Sequence, residues 1–263
     1  MYTEHRFYRP VPTGLHVIDF QAVTLMQDPT SSSATPHALR LVSWNLFHED
    51  GATLEDIRLL LRVTKADILL MQECRLFTNR LPDLVEGHFS RLASEGRVHG
   101  TACWSRFPFL NPPRLHMLPP GLAAHRSAQL LTFDTGFGPF SIANVHLSHG
   151  PILNRRQLRL IRQELPERAI IIGDFNQVGP AMLRGFEDVG PREQTHRMLD
   201  KVPLRLDRCL VRGFSLLDRR VYPRFGSDHR PISVTLQPDL PIKPSTAAPH
   251  QERHEDNTMA ISL

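Results

Sequence analysis

The stretch RAIIIGDFNQ, residues 168–177, begins as a buried strand and ends in polar side chains. Its apolar run is followed by a glycine and then by Asp174, Phe175 and Asn176. In an extended segment, residues two positions apart point the same way. The stretch therefore predicts that Asp174 and Asn176 face one crevice while Phe175 turns into the core. One acceptor and one donor on the same side suit a ligand that has both a cation and anionic oxygens.

The same pattern, an apolar run of strand length beside a polar residue, recurs along the chain. The polar residues beside such runs are Asn45, Glu73, His146, Asp174, Asp207, Asp228 and His229. Between several of the runs lie helical patterns, at residues 53–64 and 153–165, with apolar residues on one face. Strands that alternate with helices predict an α/β or α+β layered fold. In such folds, strand ends hold functional side chains over a crevice.

Each of these polar residues, taken alone, also fits an ordinary role as a turn residue, a helix cap, a solvated acid or a core histidine. Taken together, the set is rich in Asp, Glu, Asn and His, which suits hard-metal and phosphate chemistry. No pair of Cys or His residues stands at zinc spacing, so Mg²⁺ or Mn²⁺ is the better candidate.

Composition indicates a soluble globular protein, because 41% of the 263 residues are apolar and 22% are charged. No apolar stretch approaches the roughly 18 to 20 residues that cross a bilayer, and the N-terminal residues do not resemble a secretory signal. With three widely spaced cysteines, these features predict a reducing, cytoplasmic compartment. The net charge of +4 admits a nucleic-acid-binding module. However, the arginines that carry the charge are scattered, and an arginine bias can also reflect a GC-rich coding sequence.

The chain divides by composition into three parts. Residues 1–38 are predicted to be an N-terminal extension that holds one strand-like run, at 15–25, and ends in a Ser/Thr/Pro linker. Residues 39–237 are predicted to form one domain. Residues 238–263, Pro-rich and then polar, are predicted to be a disordered tail. The sequence predicts no particular oligomeric state.

Six motifs resemble, in order, those of the endonuclease/exonuclease/phosphatase superfamily, the deoxyribonuclease I-like fold. They are VSWNL (42–46), LLMQEC (69–74), NVHLS (144–148), IIGDFN (171–176), RLDRCLV (205–211) and GSDHRP (226–231). The resemblance implies a four-layer α/β sandwich, in which two mixed β-sheets pack face to face with helices outside. It also implies metal-dependent hydrolysis of a phosphoester.

The resemblance assigns a metal-binding and phosphate-binding set. Glu73 matches the main metal ligand, and Asn45 matches the asparagine that sits beside the metal and positions that glutamate. Asp228 matches a second carboxylate on the metal side. Arg126 resembles a phosphate-clamping arginine, and Asn176 matches the carboxamide that holds a phosphate oxygen. The implied ion is Mg²⁺, with Mn²⁺ as the substitute.

The resemblance also assigns a catalytic set that includes Asn176. Asp174 matches the aspartate that orients or deprotonates the attacking water. His229 matches the histidine that contacts the scissile phosphate, and Asp207 matches the acid that orients it. His146 falls where members carry either a tyrosine or a histidine. The general base stays open between Asp174 and His229. Because both are placed at strand ends, we expect them to face solvent.

The substrate stays open at the level of sequence. A nucleic acid is one candidate, and a lipid headgroup or a small-molecule phosphodiester is another. A catalytically silent scaffold with this fold is a further alternative, although the intact polar set argues against it. The Pro-rich, apolar stretch at residues 107–126 is expected to form a loop over the site.

Overall fold

The computed structural model describes residues 38–47, 51–94, 97–121, 126–136, 138–198 and 202–239. In chain order the strands are β1 (Leu39–Asn45), β2 (Ile68–Cys74), β3 (His88–Leu92), β4 (Gly100–Ser105), β5 (Arg114–Met117), β6 (Ser127–Asp134), β7 (Pro139–His146), β8 (Ala169–Asp174), β9 (Glu187–Asp188), β10 (His196–Met198), β11 (Val202–Leu204), β12 (Asp207–Arg212), β13 (Phe214–Val221) and β14 (Ile232–Pro238). The helices are α1 (Leu54–Thr64) and α2 (Pro151–Gln163), and a 3-10 helix covers Leu76–Asp83.

The strands form two six-stranded mixed sheets and one small hairpin. The first sheet has the order β13-β14-β1-β2-β4-β3, and the second has the order β5-β6-β7-β8-β12-β9. Each sheet contains one parallel pair, β1 with β2 and β7 with β8, among antiparallel neighbours. β10 and β11 pair with each other as a separate hairpin. The predicted pair of mixed sheets is confirmed.

Each parallel pair is joined by a helix, as a crossover connection requires. α1 connects β1 to β2, and α2 connects β7 to β8. α1 begins at a capping box, in which the Thr53 side chain accepts from the Asp56 amide and the Asp56 side chain accepts in return. The buried faces of the helices include Ile57 on α1 and Leu158 and Ile161 on α2.

The apolar side chains sort into three layers of core. Ile170 and Ile172 of β8 lie in the core between the two sheets, whereas Ile171 packs with α2 on the outer face of the second sheet. On the first sheet, Leu41 of β1 faces the inter-sheet core, and Trp44 packs in the α1 layer. Strands covered on both faces need apolar residues throughout, which explains their continuous runs. The predicted four-layer sandwich is confirmed.

The stretch at residues 107–126 is not simply a loop over the site. Residues 114–117 form β5, which pairs with β6 at the edge of the second sheet. Phe107 and Phe109 pack against the inter-sheet core. Strand pairing and apolar packing therefore hold much of this stretch against the sandwich. Residues 122–125 lie outside the described residues.

The predicted N-terminal extension, its strand-like run at 15–25 and the C-terminal tail lie almost wholly outside the described residues. Within the described part of the chain, no helix has the length and apolar character needed to span a bilayer.

Candidate active site

The ends of four strands bring polar side chains to one place between the two sheets. The two parallel pairs put the carboxyl ends of β1 and β2 together, and those of β7 and β8 together. Asn45 ends β1, Glu73 lies one residue before the end of β2, and His146 and Asp174 end β7 and β8. The Asn45 Nδ2 lies 3.1 Å from the Asp174 Oδ2, so the two sheets meet at these residues.

The chain turns sharply where these strands end. Phe47, Glu73 and Asn176 have φ values of 56°, 56° and 48°, in the left-handed region that side chains other than glycine rarely occupy. Such strain concentrates at functional sites. Asn176 reaches Asp174, as the sequence predicts, but it does so through this left-handed turn and not through extended alternation. Phe175 is fully buried in the core beside α2.

Asp174 is the most connected acid of the cluster. Its Oδ1 accepts from the Asn176 amide at 2.8 Å, and its Oδ2 accepts from the side-chain amides of Asn45 at 3.1 Å and Asn176 at 3.2 Å. The residue is only 1% exposed, so the expectation that it faces solvent is wrong. Burial raises its pKa to about 6, with the charge of His229 opposing and that of Asp207 adding to the rise. Asp174 is therefore ionised at neutral pH.

His229 is held by Asp207 and faces Asp174. Its Nδ1 lies 2.8 Å from the Asp207 Oδ2, and its Nε2 lies 3.7 Å from the Asp174 Oδ2. Burial disfavours the imidazolium, but the charges of Asp207 and Asp174 outweigh it and raise the pKa of His229 to about 10. The residue is 4% exposed, so here too the expected exposure to solvent is wrong. At neutral pH His229 carries a proton on each ring nitrogen.

His146 has the opposite protonation state. The Arg126 Nη1 lies 3.1 Å from the His146 Nδ1, and because a guanidinium can only donate, this ring nitrogen accepts. The single ring proton is then on Nε2, which lies 3.5 Å from the Asp174 Oδ2 and 3.8 Å from the Glu73 Oε1. Burial and the charge of Arg126 both lower the pKa of His146, which agrees with a neutral ring.

Glu73 faces a small cavity of about 40 Å³ that is lined with basic side chains. Arg97, His99, Arg126 and His146 are among the residues of its wall. The Glu73 carboxylate is partly exposed, with 14% of the side chain accessible. A hard carboxylate oxygen in a polar cavity fits Mg²⁺ or Mn²⁺.

Asn45 lies between the carboxylates of Glu73 and Asp174. Its Nδ2 is 3.3 Å from the Glu73 Oε1 and 3.1 Å from the Asp174 Oδ2, and its Oδ1 accepts from the Phe47 amide. This geometry suits a residue that positions the carboxylates beside an ion. Of this pair, the Glu73 carboxylate is therefore the group that suits a hard divalent cation, and the Asn45 amide holds that carboxylate in place.

Asp228 lies on the other side of His229. Its Oδ2 is 3.7 Å from the His196 Nδ1, and ligand-type atoms of His196, Asp228 and His229 lie within 4.8 Å of one another. A second such group consists of Asp174, Asp207 and His229. The His229 Nδ1 is bonded to Asp207, whereas the His196 Nδ1 has no hydrogen-bond partner among the described residues. The structure thus brings the predicted site residues together, with Asp228 beside His229 and facing His196.

Sequence reasoning missed two residues that position the catalytic set. The Ser227 hydroxyl donates to the Asn45 carbonyl at 2.6 Å and accepts from the His229 amide at 3.0 Å, which ties His229 to the end of β1. The Thr195 hydroxyl accepts from the Asp207 amide at 3.1 Å. Ser227 lies inside the GSDHRP motif, so its place beside His229 in the sequence could have indicated a role in positioning that histidine. Thr195 has no local signal, because only tertiary folding brings it to β12.

Sequence reasoning also missed a buried polar network beneath the site. The Gln72 Nε2 donates to the Asn144 Oδ1 at 2.7 Å, which links β2 of the first sheet to β7 of the second. The Asn144 Nδ2 lies within hydrogen-bond distance of the Met71 carbonyl, the Ala102 carbonyl and the Gln129 Oε1. These bonds fix the two sheets to each other close to Glu73 and His146.

The four-layer sandwich and its cluster of polar side chains are typical of one class of protein, and a family model matches the sequence to the same class. The model of the endonuclease/exonuclease/phosphatase family matches residues 42–229, and the chain belongs to this family. The resemblance seen in the six motifs is confirmed. Membership of the family supports a phosphoesterase activity, either nuclease or phosphatase. Among curated proteins, no match to this chain is found.

Solved structures share the fold. D. rerio TDP2 complexed with single-strand DNA product has a TM-score of 0.65 at 19% identity, over 76% of this chain and 99% of that chain. An endonuclease/exonuclease/phosphatase from Beutenbergia cavernae has a TM-score of 0.60 at 19% identity, over 77% and 72%. The inositol polyphosphate 5-phosphatase domain of SPsynaptojanin, in complex with inositol (1,4)-bisphosphate and calcium ion, has a TM-score of 0.55 at 18% identity, over 77% and 84%. At these identities the likeness is one of fold.

Proposed function

We propose that this chain is a metal-dependent phosphoesterase that hydrolyses a phosphodiester or a phosphomonoester by in-line attack of an activated water. The observation that carries the proposal is the placement of the Asp174 carboxylate between two histidines. This carboxylate is flanked by a charged histidine, His229 at 3.7 Å, and by a neutral histidine, His146 at 3.5 Å. An ionised base between two N–H donors suits the removal of a proton from water next to an anionic phosphate.

Asp174 is the proposed general base. Its pKa of about 6 leaves it ionised at neutral pH and closer to the operating pH than an ordinary aspartate. His229 is the rival, but a pKa of about 10 keeps it protonated and unable to accept a proton. Asp174 takes a proton from water as the water oxygen bonds to phosphorus. The bond from phosphorus to the leaving oxygen breaks on the opposite face.

The remaining polar groups stabilise the charge that develops on the phosphate. His229 donates from its charged Nε2, which Asp207 orients through Nδ1 at 2.8 Å. His146 donates from Nε2, because Arg126 occupies its Nδ1. The Asn176 Nδ2 is held beside Asp174 by the Leu147 carbonyl at 3.1 Å. Donors that are fixed before the reaction commonly contribute about 3 to 4 kcal/mol each.

The proposed cofactor is Mg²⁺, or Mn²⁺ in its place, held by Glu73 with Asn45 beside it. A bound divalent ion neutralises phosphate charge and stabilises the leaving oxygen. Asp228 is a weaker candidate for this metal, because its described contacts are with Ser227 and His196.

Nicking of supercoiled plasmid and hydrolysis of bis(p-nitrophenyl) phosphate, each with Mg²⁺ or Mn²⁺, test the proposal together. EDTA and the Asp174→Asn variant are the controls. Metal-dependent turnover that disappears in the variant supports the proposal, and nicking then identifies a nuclease. Turnover of the small diester without nicking supports the same chemistry on a lipid headgroup or a small molecule. No turnover and no metal-induced shift in melting temperature contradict it and favour the scaffold alternative.

A further inference from the structure

A second cavity, of about 340 Å³, adjoins the candidate active site on the His229 side. Gln194, His196, Arg224 and Arg230 line it. The first two lie at the start of the β10–β11 hairpin, whereas Arg224 precedes the GSDHRP motif and Arg230 lies within it. None of the four lining residues is acidic, and guanidinium groups bind phosphate oxygens well. The composition of this wall favours an anionic ligand.

The wall of this cavity is coupled directly to the proposed catalytic histidine. The rings of His196 and His229 contact each other in a tilted arrangement, with 4.5 Å between their centroids and 39° between their planes. Their backbones also face each other in an isolated antiparallel bridge. The Arg230 amide donates to the Thr195 carbonyl at 2.7 Å. A group bound in the cavity is therefore separated from the His229 ring by little more than the ring of His196.

Hydrogen bonds fix the Arg230 side chain in the wall of the cavity. The Arg230 Nε donates to the Tyr222 carbonyl at 3.0 Å, and its Nη1 donates to the Gln194 carbonyl at 3.3 Å, which fixes the guanidinium. The His196 Nδ1 is buried and has no hydrogen-bond partner among the described residues. The Asp228 Oδ2, at 3.7 Å, is too distant to bond it.

We propose that this cavity binds a second phosphate group of the substrate, separate from the phosphate that is cleaved. The inference rests on the proposed phosphoesterase function. The cavity at Glu73 also has basic residues in its wall, namely Arg97, His99 and Arg126. The next phosphate of an oligonucleotide and the second phosphate of a small bisphosphorylated molecule offer the same chemistry.

Three substrates separate these sources: bis(p-nitrophenyl) phosphate with one phosphate, the trinucleotide TpTpT with two phosphodiesters, and inositol 1,4-bisphosphate with two phosphomonoesters. We compare kcat/KM for the wild type, Arg224→Gln and Arg224→Lys. Arg62→Gln, an exposed change on α1, is the matched control. Melting temperatures check that each variant folds. Binding of the two larger compounds is also measured by calorimetry in the Asp174→Asn background.

Losing a charge-assisted hydrogen bond should lower kcat/KM on TpTpT or on inositol 1,4-bisphosphate by at least about tenfold more than on bis(p-nitrophenyl) phosphate. Arg224→Lys should restore part of the loss, because it keeps the charge, and affinity in the Asp174→Asn background should fall in parallel. The substrate affected identifies the source of the phosphate. Equal losses on all three substrates, or unchanged affinity for both larger compounds, overturn the subsite. Absence of turnover on every substrate, with binding still dependent on Arg224, overturns the proposed function alone.

Discussion

At the scale of single residues, Asp174 and His229 form a buried pair of opposite charges whose pKa values are both raised. For Asp174, a folded-state pKa of about 6 lies above the ordinary value of 3.8, so its ionised form destabilises the fold at neutral pH. Asp174→Asn removes this unfavourable charge but also a charge that stabilises the His229 imidazolium, so its melting temperature should change little. Its kcat should fall about 100-fold to 10,000-fold. Asp218→Asn, at a half-exposed site on β13, is the control for both measurements. A kcat near the wild-type value in Asp174→Asn would contradict the assignment of Asp174 as the base.

Asp207 acts through His229, and a pH profile tests this. In the wild type, His229 loses its proton as the pH rises through about 10, so kcat/KM should fall across that range. Asp207→Asn removes the charge that raises the pKa of His229, and the alkaline fall should move to lower pH. A profile that keeps its shape while the rate drops would show that Asp207 has only a structural role.

That the candidate site residues lie close together was predictable from sequence, but their environment was not. Polar residues beside apolar runs indicated Asn45, Glu73 and Asp174 because strand ends converge in layered folds. The burial of Asp174 and His229 follows from cross-sheet contacts, such as the one between Asn45 and Asp174, that leave no local pattern. His196 was missed for the same reason, because its contact with His229 forms only when the β10–β11 hairpin folds back.

At the scale of elements, Gly173 lets β7 and β8 pair closely just before Asp174. Its φ is +145°, and a Cβ atom there would lie 2.1 Å from the Val145 carbonyl oxygen. Gly173→Ala should therefore destabilise the fold by about 3 kcal/mol or more, since backbone must move. Gly136→Ala is the matched control, with φ +86° and open space around the Cβ position. It should cost only about 1 kcal/mol. Urea unfolding of both variants measures the difference, and similar losses would contradict the steric explanation.

The helices and the inner strands were the most predictable elements. The apolar periodicity of residues 53–64 and 153–165 follows from packing on one side, and both segments are helical where predicted. Edge strands such as β5 were not predicted, because nearby Pro residues and a short length hide the alternation of apolar and polar residues. The structure of β5 depends on its pairing with β6. The left-handed turns at Glu73 and Asn176 could not be predicted from the sequence either, because the surrounding structure imposes them.

At the scale of the whole molecule, Asn144 joins the two sheets through a buried polar network. Asn144→Leu would leave the Gln72 amide, two backbone carbonyls and the Gln129 oxygen without this partner. We expect a loss of about 3 kcal/mol in the free energy of unfolding. Thr132→Val, which removes a long 3.4 Å contact within one sheet, should cost much less. Equal losses in urea unfolding would show that the network does not hold the sheets together.

The four-layer sandwich places the Asp174 carboxylate between His229 and His146, and we propose that this carboxylate activates the water for hydrolysis. The most direct test is the rate of bis(p-nitrophenyl) phosphate hydrolysis with Mg²⁺ or Mn²⁺, for the wild type and for Asp174→Asn. We predict turnover by the wild type that EDTA abolishes and that falls at least about 100-fold in the variant. Turnover that survives in Asp174→Asn at the wild-type rate would contradict the assignment of Asp174 as the base.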